Sequence, residues 1–131
     1  MRHLSSRVVI CATLAVSLAS AVRGEGAVDI LDCRIVTECD ASGTCTSVSR
    51  SINFTRTPVD VQPHGEGDYR IAYGGMDFAM TQQTPFGPWV WSEGRNDWQT
   101  LLFSSANGLI WVTQDFDGPT STTRFLICEV G

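Results

Sequence analysis

The chain has 131 residues, 43% hydrophobic and 18% charged, with a formal net charge of -5. That composition is globular and suffices for one small domain, not two. The acidic balance argues against nucleic acid as a partner, because phosphate binding needs clustered positive charge.

The N-terminus reads as a secretory signal peptide over residues 1–21. Arg2, His3 and Arg7 precede the apolar run 8–18, and Ala19-Ser20-Ala21 follows as an A-x-A cleavage signal. Cleavage is expected after Ala21, with cuts near Gly24 or Ala27 as alternatives, leaving residues 22–131 as a single secreted or periplasmic domain. Cys11 lies within the apolar run, but Ile10 before it lacks the small side chain that lipid attachment wants. No later segment approaches the roughly 20 apolar residues of a membrane span. The remaining part keeps seven arginines against 14 acidic residues, and the whole chain contains no lysine.

Four cysteines stay with the domain, and an even count in an exported chain of this size reads as two disulfides. Cys39 and Cys45 bracket the turn-rich Asp40-Ala41-Ser42-Gly43-Thr44, so they are expected to pair across the base of a hairpin. Cys33 then pairs with Cys128, joining the first strand to the last, and adjacent terminal strands imply a sheet that closes on itself.

In chain order, Leu31, Cys33 and Ile35 alternate with polar residues from Asp29 to Glu38, as in a half-buried strand. Its partner is expected from Cys45 to Thr55. Pro58 interrupts, and Val59 and Val61 suggest a short edge strand. Tyr69, Ile71 and Tyr73 lead into a Gly74-Gly75 hairpin, with Met76, Phe78 and Met80 returning. A loop with two prolines, Gln82 to Pro88, precedes the short strand Trp89-Val90-Trp91. The last strand runs from Thr120 to Val130. No segment after the signal has a helical period. The expected fold is all-β, a small antiparallel meander of eight or nine strands in a closed or nearly closed barrel, with a β-sandwich as the alternative.

The central stretch, Trp98 to Asp115, flanks Asn107-Gly108, the dipeptide suited to a two-residue type I′ turn. With that loop, Phe103 faces Val112 and Leu102 faces Thr113. One face then carries Leu101, Phe103, Ile110 and Val112, and the other Trp98, Leu102, Leu109 and Trp111. Both are apolar. A strand pair in a simple two-layer protein usually has one polar face, so the second face must be covered or must bind something.

Catalytic signals are weak. His64, the one histidine outside the signal, sits in a glycine-rich turn without a partner for a dyad or triad. The four thiols are expected to be oxidised, which removes a cysteine nucleophile. Scattered acids single out no glycosidase-like pair. Asp115-Phe116-Asp117-Gly118 faintly resembles a calcium loop but lacks the third acid and distal glutamate, and His64, Glu66 and Asp68 have no metal-ligand spacing. Asn53-Phe54-Thr55 fits a glycosylation sequon inside an expected strand. No enzyme, metal or cofactor is expected.

The tryptophans carry the functional reading. Core filling is their ordinary use, but tryptophan is also enriched in binding hot spots, and an apolar surface on an exported domain marks a partner or ligand site. Trp89 and Trp91 share one strand face after Phe86-Gly87-Pro88, at an expected loop rim. Arg95 adds a polar contact, and Trp98 and Trp111 belong to the two-faced hairpin.

The plan of signal peptide, two disulfides and about 110 residues of strands is similar to small periplasmic barrel proteins that inhibit lysozymes or proteases. The similarity is one of size and class over the whole chain, and none of their inhibitory motifs matches residues here. Lipocalin-like carriers are a second likeness, but their Gly-x-Trp signature belongs in the first strand, whereas Gly87-Pro88-Trp89 comes late. The expectation is therefore a non-enzymatic binding module for a protein partner, an enzyme inhibitor being one form. The alternatives are a carrier of a small apolar ligand and an envelope structural component.

Overall fold

A computed structural model describes residues 27–131. The signal-peptide reading and Cys11 fall outside them. Eight strands form one closed antiparallel barrel: β1 (Asp29–Cys39), β2 (Cys45–Val61), β3 (Gly67–Tyr73), β4 (Met76–Gln82), β5 (Trp89–Ser92), β6 (Asp97–Phe103), β7 (Gly108–Asp115) and β8 (Thr120–Val130). Each strand pairs with the next, and β8 pairs back onto β1, with Cys33 opposite Cys128. Barrel, not sandwich, is the architecture. No helix among the described residues is long and apolar enough to cross a membrane.

Both expected disulfides are present, Cys33–Cys128 across 95 residues and Cys39–Cys45 across six. The long bridge fastens the seam between first and last strands. In the chain-entropy model a loop of that length stabilises the fold by roughly 4 kcal/mol. The two bridges are what an oxidising, extracellular-type environment sustains.

The turns β1–β2, β3–β4, β5–β6 and β7–β8 lie at one end, the disulfide end, with Cys39–Cys45. The β2–β3, β4–β5 and β6–β7 loops lie at the other, the proline end. Gly74 and Gly75 both have positive φ, 58° and 77°, which the mirror-image turn between β3 and β4 requires.

Two local expectations give way to tertiary pairing. Pro58 does not interrupt β2. The strand runs for 17 residues, pairing with β1 along its first part and with β3 from Thr55 to Val61. Such a handover is how strands stagger around a barrel. Pro58 sits beside a register irregularity between Pro58 and Asp60, where the missing N–H is tolerated. The expected edge strand at Val59 and Val61 is therefore the end of β2.

The central hairpin is also longer in the loop than Asn107-Gly108 suggests. Phe103 pairs with Leu109 and Leu101 with Trp111, while Ser104 N–H donates to the Gly108 carbonyl at 2.8 Å. The register is displaced by three residues, an odd number, and this exchanges the faces of β7 relative to β6. Leu101, Phe103, Leu109 and Trp111 point inward, leaving Trp98, Leu102, Ile110 and Val112 outside.

The barrel lumen is filled. Phe54, Tyr73 and Trp111 meet at ring separations of 5.2 to 5.6 Å, and Trp91 packs on Tyr73 at 5.8 Å. Leu31, Ile71, Met80, Leu101, Leu109 and Leu126 complete the core. Each end is closed by an arginine lying on an aromatic face. At the proline end Arg56 stacks between Tyr69 (4.9 Å) and Trp89 (4.7 Å) and hydrogen-bonds Gln82 and Asp29. At the disulfide end Arg124 lies 4.6 Å over Trp111 and donates to Glu38 and Thr113, both at 2.8 Å. A planar guanidinium can stack and bond at once where an ammonium cannot, which gives two of the nine arginines a structural reason.

Candidate functional site

The five residues singled out for binding separate in the structure. Trp89, Trp91 and Trp111 are 2%, 1% and 8% exposed, so they build the core and form no loop-rim surface. Their alternation within the strands was legible, but not its direction. Their polar atoms are partly used: Trp91 Nε1 donates to the Tyr73 hydroxyl at 3.1 Å and Trp111 Nε1 to Gln99 Oε1 at 2.7 Å. Trp98 alone of the four is exposed, at 42%. Arg95 is exposed on the β5–β6 turn and does not line the site described next.

That site lies on the outer side of β3, β4 and β5. β5 has four residues between neighbours of seven, and pairs with β4 through only Met80, Thr81 and Gln82. Met76 to Ala79 therefore have no β5 partner, and the groove lies mainly over the paired residues beyond them. The site is a groove of ≈ 660 Å³, with Trp98 and Ser92 on one side and Val59 and Arg70 on the other. Ala79, Thr81 and Val90 line it, and Met80 and Trp91 contribute from the core. Arg70 is held by a two-oxygen hydrogen bond from its Nε to Asp77, 3.0 Å to each. The arrangement is an open, mixed surface: an aromatic face, small side chains, hydroxyls and a fixed ion pair at the rim. It brings together Trp91 and Trp98 of the five expected residues. Val59, Arg70, Thr81 and Val90 were not foreseen, because a groove across several strands shows only once those strands are set side by side in register.

Trp98 also begins an outward face that continues over β6, β7 and β8. Leu102 pairs with Ile110, and Ile110 with Phe125. Phe125 and Ile127 are 39% and 53% exposed. The two-faced hairpin is thus real despite the changed register: one face packs the lumen and the other is an apolar outer wall. Elsewhere the outside carries charges such as Asp32, Arg34, Arg70, Asp77 and Glu129. The exterior so described does not form the continuous apolar band of a transmembrane barrel.

The acids have structural employment. Burial alone would raise the Glu38 carboxyl, but hydrogen bonds and charge from Arg124 and Arg50 outweigh it and hold it below its ordinary value. Glu93 is pushed up, first by burial and then by the Asp97 carboxylate, with Arg124 opposing. Glu93 and Asp97 bound the β5–β6 turn through a 3.0 Å backbone bond and do not line the groove. Asp115 and Asp117 serve their turn: Asp115 accepts from the Asp117 N–H, and Asp117 from the Asn96 side chain. Among the described residues no group of three or more His, Cys, Asp or Glu side chains is placed to hold a metal ion.

No family model, curated protein or solved structure gives a significant match to this chain.

Proposed function

We propose that the protein is an exported, non-enzymatic module that binds a protein partner through the Trp98 groove, inhibition of an enzyme being one form of that role. The observation that carries this reading is the contrast in exposure: three tryptophans are consumed by the core while Trp98 stands exposed at the edge of a groove. An exposed tryptophan beside a recess is the composition of an interface anchor. The groove is open and lined by both apolar and hydrogen-bonding groups, which suits a segment of a protein surface. A carrier of a small apolar ligand would need an enclosed apolar cavity, and the aromatic packing of the lumen weighs against one there.

The signal-like N-terminus and the two disulfides support export to an extracellular or periplasmic compartment. The test is capture from an extract of that compartment by the immobilised domain. A stoichiometric protein retained by wild type and lost with Trp98→Ala, at unchanged Tm, supports the reading. Equal retention by both counts against it. The Trp89 and Trp91 positions are unsuited to this test, because their substitution damages the core.

A further inference from the structure

The two ends of the lumen repeat one arrangement. At each, an arginine lies on a tryptophan face while a carboxylate bonds the same guanidinium: Arg56 over Trp89 with Asp29, and Arg124 over Trp111 with Glu38. The ring attracts the cation through its face and the carboxylate takes the guanidinium edge, so the two interactions do not compete.

The Trp98 groove presents two of those three parts. Trp98 is 42% exposed, and among the described residues no cation or aromatic ring lies on it. Asp68 lines the same groove and is exposed, and it joins none of the ion pairs of the described residues. The groove's own arginine, Arg70, is already committed to both oxygens of Asp77. Asp60, opposite Asp68 across β2 and β3, is likewise exposed and without an ion pair. Three carboxylates (Asp60, Asp68, Asp77) against the one guanidinium of Arg70 leave this side at a formal charge of -2. On the adjoining β5–β6 turn Arg95 is outnumbered by Glu93 and Asp97. The field over the groove is negative, and like charges set opposite each other on paired strands carry a cost that an incoming cation relieves.

We infer that the groove takes an arginine side chain of the partner, its guanidinium flat on Trp98 and its charge matched by Asp68 and Asp60. This rests on the reading of the groove as a partner site and names the chemistry of the occupant. Charge complementarity selects a basic segment over a neutral or acidic one. The exposed ring selects arginine over lysine, because a planar guanidinium stacks and keeps its edge donors for a carboxylate. Trp98 and Asp68 stand on β6 and β3, three strand spacings or roughly 14 Å apart at the backbone, so a segment lying across the groove meets both. The residues paired with Trp98 and Arg70 on the strands between are Ser92 and Ala79, whose small side chains leave room for an arginine stem.

The experiment is an NMR titration of isotope-labelled protein, expressed from the full chain and purified from an oxidising compartment. The probes are acetyl-Ala-Arg-Ala-amide and the same peptide with neutral citrulline, or with lysine, in place of arginine. The Trp98 indole N–H, assigned by its loss in Trp98→Phe, reports binding. The arginine probe should bind about fivefold more tightly than the citrulline probe, and added salt should shrink that preference. Asp68→Asn should weaken the arginine probe about threefold, leave the citrulline probe unaffected, and leave Tm unchanged or higher. Lysine should bind more weakly than arginine. Equal binding of arginine and citrulline, or a preference that Asp68→Asn leaves intact, overturns the inference, and equal binding of arginine and lysine overturns the stack on Trp98. Capture of a protein that is lost with Trp98→Ala, without any arginine preference, keeps the partner reading and removes this inference. An arginine preference without capture removes the partner reading and keeps the arginine site.

Discussion

Trp111 and Trp98 lie on neighbouring strands of one hairpin and face opposite sides of the barrel wall. Trp111 is inside, its ring edge-on to Phe54, its indole N–H satisfied by Gln99 and its face covered by Arg124. Trp98 is outside, beside a recess in the wall. The same side chain serves stability in one place and is available for recognition in the other. What separates them is register: a displacement of one residue would exchange the faces of a strand. The contrast teaches that, in a barrel with apolar residues on both sides of its wall, exposure and not residue type decides which aromatic is open to a partner.

The largest effect that would break this comparison is at the inner member. Trp111→Ala removes an aromatic on which Phe54, Tyr73 and Arg124 all rest, and should cost roughly 3–5 kcal/mol, read by denaturant unfolding. A cost near that of a surface substitution would mean Trp111 is not core. Arg124→Lys keeps the charge but loses the planar stack and the paired donors to Glu38 and Thr113. It should cost about 1 kcal/mol, and Thr113→Val would share part of that loss if the network acts as a unit.

Acidity probes the same end more gently. Glu38 is held below its ordinary value, so its contribution is present at neutral pH and is lost as pH falls through the lowered value. Wild-type Tm should therefore fall more steeply than that of Glu38→Gln below about pH 4, with the two curves converging in acid. Parallel curves would show that the Arg124 and Arg50 bonds do not favour the ionised form. Glu93 has the opposite sign. Its raised value means the folded state prefers it protonated, so stability declines as pH rises through the range where it ionises. Glu93→Gln should raise Tm slightly at pH 7 and leave it nearly unchanged in acid. A lower Tm at pH 7 would contradict the cost that burial, and then Asp97, puts on the ionised carboxyl.

Much of the fold was legible because its signals are local. Alternation marks Leu31, Cys33 and Ile35, and paired glycines mark the β3–β4 turn. Cysteine spacing implied both bridges and, through Cys33–Cys128, the closure. The register of β6 and β7 was not legible, because Asn107-Gly108 is a strong turn former in isolation and the lumen prefers Leu101 opposite Trp111. Pro58 misled for the same reason: its local effect is absorbed by an irregularity in a long strand. The inward arginines did leave a trace. Arg56 alternates in phase with Phe54, and Arg124 with Leu126 and Cys128, so parity places both with the core residues. The groove left none, since its lining comes from β2 to β6, which meet only in the assembled sheet.

The central claim concerns the outer member, Trp98, and one measurement addresses it most directly: quantitative capture from the exported extract by wild-type and Trp98→Ala domains, with Tm recorded for both. Tm should differ by little, in keeping with a surface change of within about 0.5 kcal/mol, while the captured protein falls from stoichiometric to near background. Undiminished capture by Trp98→Ala, or a loss of stability as large as that expected for Trp111→Ala, would contradict the assignment of Trp98 to recognition.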